Sequence, residues 1–138
     1  MPFVLDTSVT LSWHFDDEIS PYADRVLGAL GGDSALAPAI WAIEVANGLA
    51  VGERRGRLSG ARLLQAVEET LALPVAVTNY STLDALRSVL ALAREYRLTA
   101  YDAAYLELAI REGLELATQD EDPRRAATQA GVTLFNPT

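Results

Sequence analysis

The chain predicts an α/β fold with a mainly parallel sheet covered by helices on both faces, and three observations carry that expectation. Short apolar runs alternate with longer segments of helical periodicity, the pattern of strand–helix–strand units. Helix start and stop residues fall at the boundaries between them. Half of the 138 residues are apolar, which suits a packed core and argues against disorder. A chain of this length is one domain, able to bury about two-thirds of its unfolded surface.

Phe3-Val4-Leu5 is the first strand, a short apolar run that stops at Asp6. In open α/β sheets ligands bind outside the carboxyl ends of strands, which puts Asp6 where chemistry would be done. The alternative is that Asp6 only caps the apolar helix running through Val9, Leu11 and Trp13. Asp16 to Leu30 reads as a second helix, with Pro21 in its first turn and Gly31-Gly32 at its end. Ala35-Leu36-Ala37 is a short strand before Pro38. Ala39 to about Arg55 is an apolar helix, closed at Arg55-Gly56 with Arg54 and Arg55 complementing its dipole. Ser59 opens another helix, with Leu63, Leu64, Val67 and Leu71 at helical spacing.

Pro74 to Val77 is the third strand. Ser81 caps a long amphipathic helix through Leu83, Leu86, Val89, Leu90 and Ala93, and Asp84 completes a capping box. Thr99 to Arg111 is the next helix, ended by Gly113. Glu115 to Thr118 is a strand that leads into the acidic turn Gln119-Asp120-Glu121-Asp122. Asp122 reads as the cap of a last helix that starts at Pro123 and stops at Gly131, and Val132 to Phe135 is the final strand.

With no cysteine, the chain has no disulfide, thiol nucleophile or structural zinc cluster. It shows no secretory leader and no apolar run near the ~20 residues that span a bilayer, so a soluble, cytoplasmic protein with no membrane partner is expected. The net charge of −8 argues against a general nucleic-acid coat. It leaves room for an enzyme acting on RNA, because exposed charges are screened beyond about 8 Å at physiological salt. All 11 basic residues are arginine, which removes P-loop lysine and Schiff-base chemistry and the lysine of phospho-receiver sites.

Four carboxylates sit where solvated acids usually do not. Asp6 and Asp120 follow strand ends. Glu44 shares a helix face with Ile40, Gly48 and Val51, and Asp102 shares one with Leu106 and Ala109. Singly, each can be a cap, a turn residue or a first-turn acid favoured by the helix dipole. Together they would repel, by roughly 4 kcal/mol for two carboxylates about 4 Å apart at an effective dielectric of 20, unless a cation lay between them. All-oxygen ligation suits Mg²⁺ or Mn²⁺ rather than zinc. His14, the one histidine, reads as a surface residue at a helix end rather than a ligand.

Val4-Leu5-Asp6-Thr7-Ser8, Glu44-Val45-Ala46-Asn47, Leu98-Thr99-Ala100-Tyr101-Asp102-Ala103-Ala104-Tyr105 and Leu116-Ala117-Thr118-Gln119-Asp120 resemble, in order and across nearly the whole chain, the four acidic motifs of PIN domains. The resemblance is closest to VapC-type ribonuclease toxins of toxin–antitoxin pairs. It implies a three-layer α/β/α sandwich and a Mg²⁺-dependent endoribonuclease, with Mn²⁺ as a substitute, that pairs with a cognate antitoxin and forms a homodimer. Asp6, Glu44, Asp102 and Asp120 would be the catalytic, metal-holding quartet, with Asp122 as a helper. Thr7 or Ser8 and Thr118 would orient ligands through their hydroxyls. Pro123 departs from the leucine common after the acidic turn.

Arg54, Arg55 and Arg57, or Arg124 and Arg125, could hold an RNA backbone, or be ordinary helix-end arginines. Two other readings compete with the toxin: a PIN nuclease of RNA processing without an antitoxin, and a non-catalytic PIN-like binding module. The module would be expected to lack one or more of the four acids, and all are present.

Overall fold

The structure, a computed structural model, describes all residues 1–138. A four-stranded parallel sheet runs in the order β3-β2-β1-β4, built from β1 (Phe3–Leu5), β2 (Ala35–Pro38), β3 (Val75–Thr78) and β4 (Leu116–Ala117). Phe3 pairs with Ala35, Val4 with both Leu36 and Leu116, and Ala35 with Val75. β1 therefore lies between two neighbours, and its three side chains are wholly buried. Such a side chain contributes about 1.5–3 kcal/mol of transfer free energy, so the strand that carries Asp6 at its end is anchored at the centre of the core.

Parallel strands need crossover connections, and helices supply them. α3 (Ile40–Arg54) packs on β2, with α1 (Thr7–Ser12) and α4 (Gly60–Leu71) beside it; α2 (Pro21–Ala29) packs against α1. α7 (Ala100–Glu112) packs on β1, β2 and β4, with α6 (Leu90–Tyr96) and α8 (Glu121–Ala130) against it. The result is the layered α/β architecture that the alternation predicts. Ser20, Ser59, Ser81 and Thr99 each accept a backbone N–H in the first turn of a helix. Gly113 and Gly131 end α7 and α8 in the left-handed region, which a residue without Cβ enters freely.

Several boundaries differ from the expectation. The second helix begins at Pro21, not Asp16, because a proline disfavours helical geometry in the residue before it and Ser20 is extended. The long helix after Ser81 is interrupted: α5 (Thr82–Asp84) passes through a π-helical turn, Ala85–Val89, into α6. α8 starts at Glu121 with Asp120 as its N-cap, so Asp122 lies inside the helix and is not its cap. Pro123 fits the third position because the first-turn N–H groups have no helical partner in any case. The fourth strand shrinks to two residues, and Val132–Phe135 is reduced to one parallel bridge, Leu116 to Leu134. That segment is held instead by Phe135, which stacks on Phe3 at 3.9 Å and whose carbonyl accepts from Tyr22 at 2.7 Å.

His14 is only 2% exposed, against the expected surface position. α4 covers the end of α1, and His14 Nε2 lies 3.0 Å from the Thr70 hydroxyl while Nδ1 lies 3.4 Å from Arg62 and Glu69.

Candidate active site

Asp6 follows β1 directly and is the N-cap of α1, so it is both a cap and a strand-end acid. Its Oδ2 accepts from Ser8 Oγ at 2.6 Å, Thr118 Oγ1 at 2.9 Å and the Ser8 amide at 3.3 Å, and none of these bonds reaches Oδ1. Thr118 is placed by β4, the neighbour of β1. Burial, opposed by the two hydroxyl bonds and reinforced by the charges of Asp120 and Asp102, pushes the Asp6 carboxyl up to about 7.

Glu44 comes from the middle of α3. Its Oε1 accepts from Tyr105 Oη at 2.6 Å and lies 3.1 Å from Thr7 Oγ1, leaving Oε2 outside those contacts. Burial first, and then the bond to Glu44, holds the Tyr105 phenol far above its ordinary range, so it stays a donor. Asp102 occupies the first turn of α7, which starts at its Thr99 cap. Desolvation raises its carboxyl, followed by the charges of Asp120 and Glu44. Asp120 heads α8 without using its side chain as a cap, and desolvation and then Asp122 raise it.

These four acids, from four separate elements, line one cleft of about 980 Å³. Thr7 and Ser8 line it too, as do Asp17, Glu18, Ser20, Asn47, Tyr101 and Gln119, and no arginine is among its 17 lining residues. Thr118 stands behind the cleft, buried, and acts on it through Asp6. Asp122 is not in the lining; its carboxylate is 67% exposed and faces Arg125 at 3.6 Å.

The candidate RNA-holding arginines also lie outside the cleft. Arg57 is bidentate to Asp17, Arg124 donates to the Thr118 carbonyl, and Arg125 donates to the Tyr96 carbonyl. Arg54 and Arg55 are exposed at the end of α3.

Sequence reasoning missed Tyr105 and Gln119. Gln119 donates to the Ser8 carbonyl at 3.0 Å and to Ser12 Oγ at 2.5 Å, and accepts from Ser20, tying the start of α2 to that of α1. Tyr105 stands three residues after Asp102 inside the motif itself, and a phenol on a buried helix face needs a partner; that was the available signal.

The donor set is oxygen alone, which fits a hard divalent cation. No three acidic side chains stand close enough to ligate one ion together as they are arranged here. Mg²⁺ is held by one or two carboxylates with water completing its shell, and Asp6 Oδ1 and Glu44 Oε2, left outside the hydrogen bonds to their partner oxygens, are suited to that role. A cation would also offset the neighbouring acidic charges that add to burial in raising Asp6 and Asp102.

A family model described as PIN domain matches residues 3–129. The chain is 33% identical over 120 residues to Ribonuclease VapC3 of Pyrobaculum aerophilum, covering 87% of this chain and 90% of that protein. Among solved structures it resembles VapBC2 from Rickettsia felis bound to a DNA fragment from their promoter, with a TM-score of 0.69 and 14% identity over all of both chains. It also resembles a toxin–antitoxin complex from Klebsiella pneumoniae, with a TM-score of 0.61 and 22% identity over 87% of this chain and 88% of that one. At those identities the two structures show a common fold.

Proposed function

The chain belongs to the PIN domain family, with a VapC-type relative, and from that premise we propose that it is a metal-dependent endoribonuclease and the toxin of a toxin–antitoxin pair. The observation that carries this reading is a cleft onto which four elements bring acids and none brings a base. A polyanion such as RNA enters such a cleft only with cations beside it, and paired carboxylates are the means of holding them.

Hydrolysis of a phosphodiester needs an activated water and stabilisation of charge on the phosphate. A bound Mg²⁺ or Mn²⁺ supplies both, by lowering the pKa of its water and polarising the phosphoryl oxygen. Asp6 and Glu44, with Asp102 and Asp120 facing them, would hold the ion. Ser8 and Thr118 fix the Asp6 carboxylate, and Tyr105, which Thr7 adjoins, fixes that of Glu44. Asp122, outside the cleft, would act through its charge on Asp102 and Asp120.

The VapC-type relative and the fold shared with the Klebsiella toxin–antitoxin complex support an antitoxin partner. A homodimer is supported by an exposed apolar stripe, Leu83, Leu86 and Leu90, along α5, the π-helical turn and α6. No helix is long and apolar enough to cross a membrane, and a nuclease acting on cellular RNA would work in the cytoplasm.

Purified protein should cut RNA with Mg²⁺ or Mn²⁺ and stop on adding EDTA. Asp6→Asn should fold and be inactive; equal cleavage by variant and parent would overturn the assignment. Expression alone should slow a bacterial host, and co-expression with the product of the adjacent small gene should relieve it.

A further inference from the structure

Thr7 Oγ1, Tyr105 Oη and Glu44 Oε1 form a triangle with sides of 2.6, 2.6 and 3.1 Å, the longest running from Thr7 to Glu44. Three oxygens share two hydroxyl protons, so only two of the three sides can carry a hydrogen bond. The short sides both meet at Tyr105. The protons therefore run from Thr7 to Tyr105 and from Tyr105 to Glu44, because the other choice would leave two lone pairs facing across 2.6 Å. Tyr105 itself is 1% exposed and touches neither the cleft nor a substrate that would lie in it.

We infer that Tyr105 is a positioning residue for the Glu44 carboxylate: its hydroxyl, aligned by Thr7, pins Oε1 and thereby presents Oε2 to a divalent cation in the cleft. The inference rests on reading Glu44 as a working carboxylate of a ribonuclease. It assigns Thr7 an indirect role, holding Tyr105 rather than a ligand. Partners that orient a ligating carboxylate typically change metal affinity or activity by roughly 10–100-fold when removed.

The test is a cycle of Tyr105→Phe, Glu44→Gln and the double variant. Each is titrated with Mn²⁺ alone, followed by loss of the free-ion EPR signal, and assayed for RNA cleavage in parallel. Tyr105→Phe should weaken Mn²⁺ binding and lower kcat, each by roughly 10–100-fold, with KM unchanged. Added to Glu44→Gln it should change neither, because the hydroxyl acts only through that carboxylate.

Parent-like Mn²⁺ affinity and kcat in Tyr105→Phe would overturn the inference, as would an equal further loss in the Glu44→Gln background. If the parent cuts no RNA while the Mn²⁺ cycle shows the coupling, the ribonuclease reading falls and the positioning role stands. If the parent binds no Mn²⁺, both fall. Thr7→Val keeps side-chain shape and frees the Tyr105 hydroxyl, so it should weaken Mn²⁺ binding less than Tyr105→Phe, again only when Glu44 is present. Should Tyr105→Phe fail to fold, this variant decides, and unchanged Mn²⁺ affinity overturns the inference.

Discussion

Thr118 Oγ1 donates to Asp6 Oδ2 at 2.9 Å across 112 residues of sequence. The pairing of β1 with β4 makes this possible, since Asp6 and Thr118 are the first residues beyond two adjacent parallel strands. The same hydroxyl accepts from the Asp120 amide at 3.3 Å, so one buried oxygen ties together the two strand-end acids. The sheet itself thus holds the spacing of half the acidic quartet.

Replacing that hydroxyl should be costly out of proportion to its size. Thr118→Val keeps the shape but removes a bond to a buried carboxylate, worth about 1.5–3 kcal/mol when the carboxylate is ionised. Thermal melts above neutral pH should show the loss. The hydroxyl also favours the charged form of Asp6, so the acid limb of the cleavage profile should move to higher pH in the variant.

The strand-end and helix-face placement of the four acids was legible because it depends on local pattern alone. An apolar run stopping at Asp6, and Glu44 and Asp102 in register with apolar neighbours, need no knowledge of partners. What touches those acids depended on packing between distant segments. Tyr105 meets Glu44 61 positions away in the chain. His14 is buried by α4, some 50 residues on, and nothing around position 14 signals that cover. The short last strand was misread for the reverse reason. Val132 to Phe135 has strand composition, but β4 offers only two residues to pair with, and stacking on Phe3 takes over.

His14 should make the protein sensitive to acid. An arginine can only donate, so the Arg62 contact fits a neutral ring with its Nδ1 lone pair toward Arg62 and Nε2–H toward Thr70. Burial and then Arg62 hold the imidazole below its ordinary 6.5, with Glu69 opposing. The unfolded chain therefore takes up a proton that the folded chain refuses as pH falls below 6.5, and stability drops there. His14→Gln keeps a donor for Thr70 and cannot titrate. The difference between parent and variant midpoints should turn against the parent below pH 6.5 and be constant above it.

Gly52 marks where α3 meets the ring of Phe15. A Cβ at Gly52 would sit 2.6 Å from Phe15 Cζ, and Arg57 lies 4.0 Å over the same ring. Alanine would gain about 1 kcal/mol in helix propensity but lose about 1–3 kcal/mol to overpacking. Gly52→Ala should therefore be net destabilised in thermal melts, and a stabilised variant would show that the ring shifts without cost.

Asp6 provides the last prediction, in which stability and metal binding have opposite demands. Its carboxyl ionises near 3.8 in the unfolded chain and at about 7 in the fold, chiefly because it is buried. Between those values the folded state keeps a proton that the unfolded state has lost, so stability falls as pH rises. The contribution is complete below 3.8 and gone above about 7, with a total on the order of 4 kcal/mol. Asp6→Asn retains an oxygen to accept from Ser8 and Thr118 and removes the titration. The metal-free variant should gain on the parent as pH rises from about 4 to about 8, and should be the more stable of the two at the upper end. A divalent cation held by Asp6 would reverse the preference, because a ligating carboxylate must give up its proton. Calorimetric Mn²⁺ titrations in buffers of different ionisation enthalpy count that proton. Release approaching one proton at about pH 6 and near zero at about pH 9 is expected for the parent, because a ligand must be deprotonated to bind. A parent–variant difference that ignores pH, with no proton released at the lower pH, would mean that Asp6 is ionised throughout and that the cleft solvates it despite its burial.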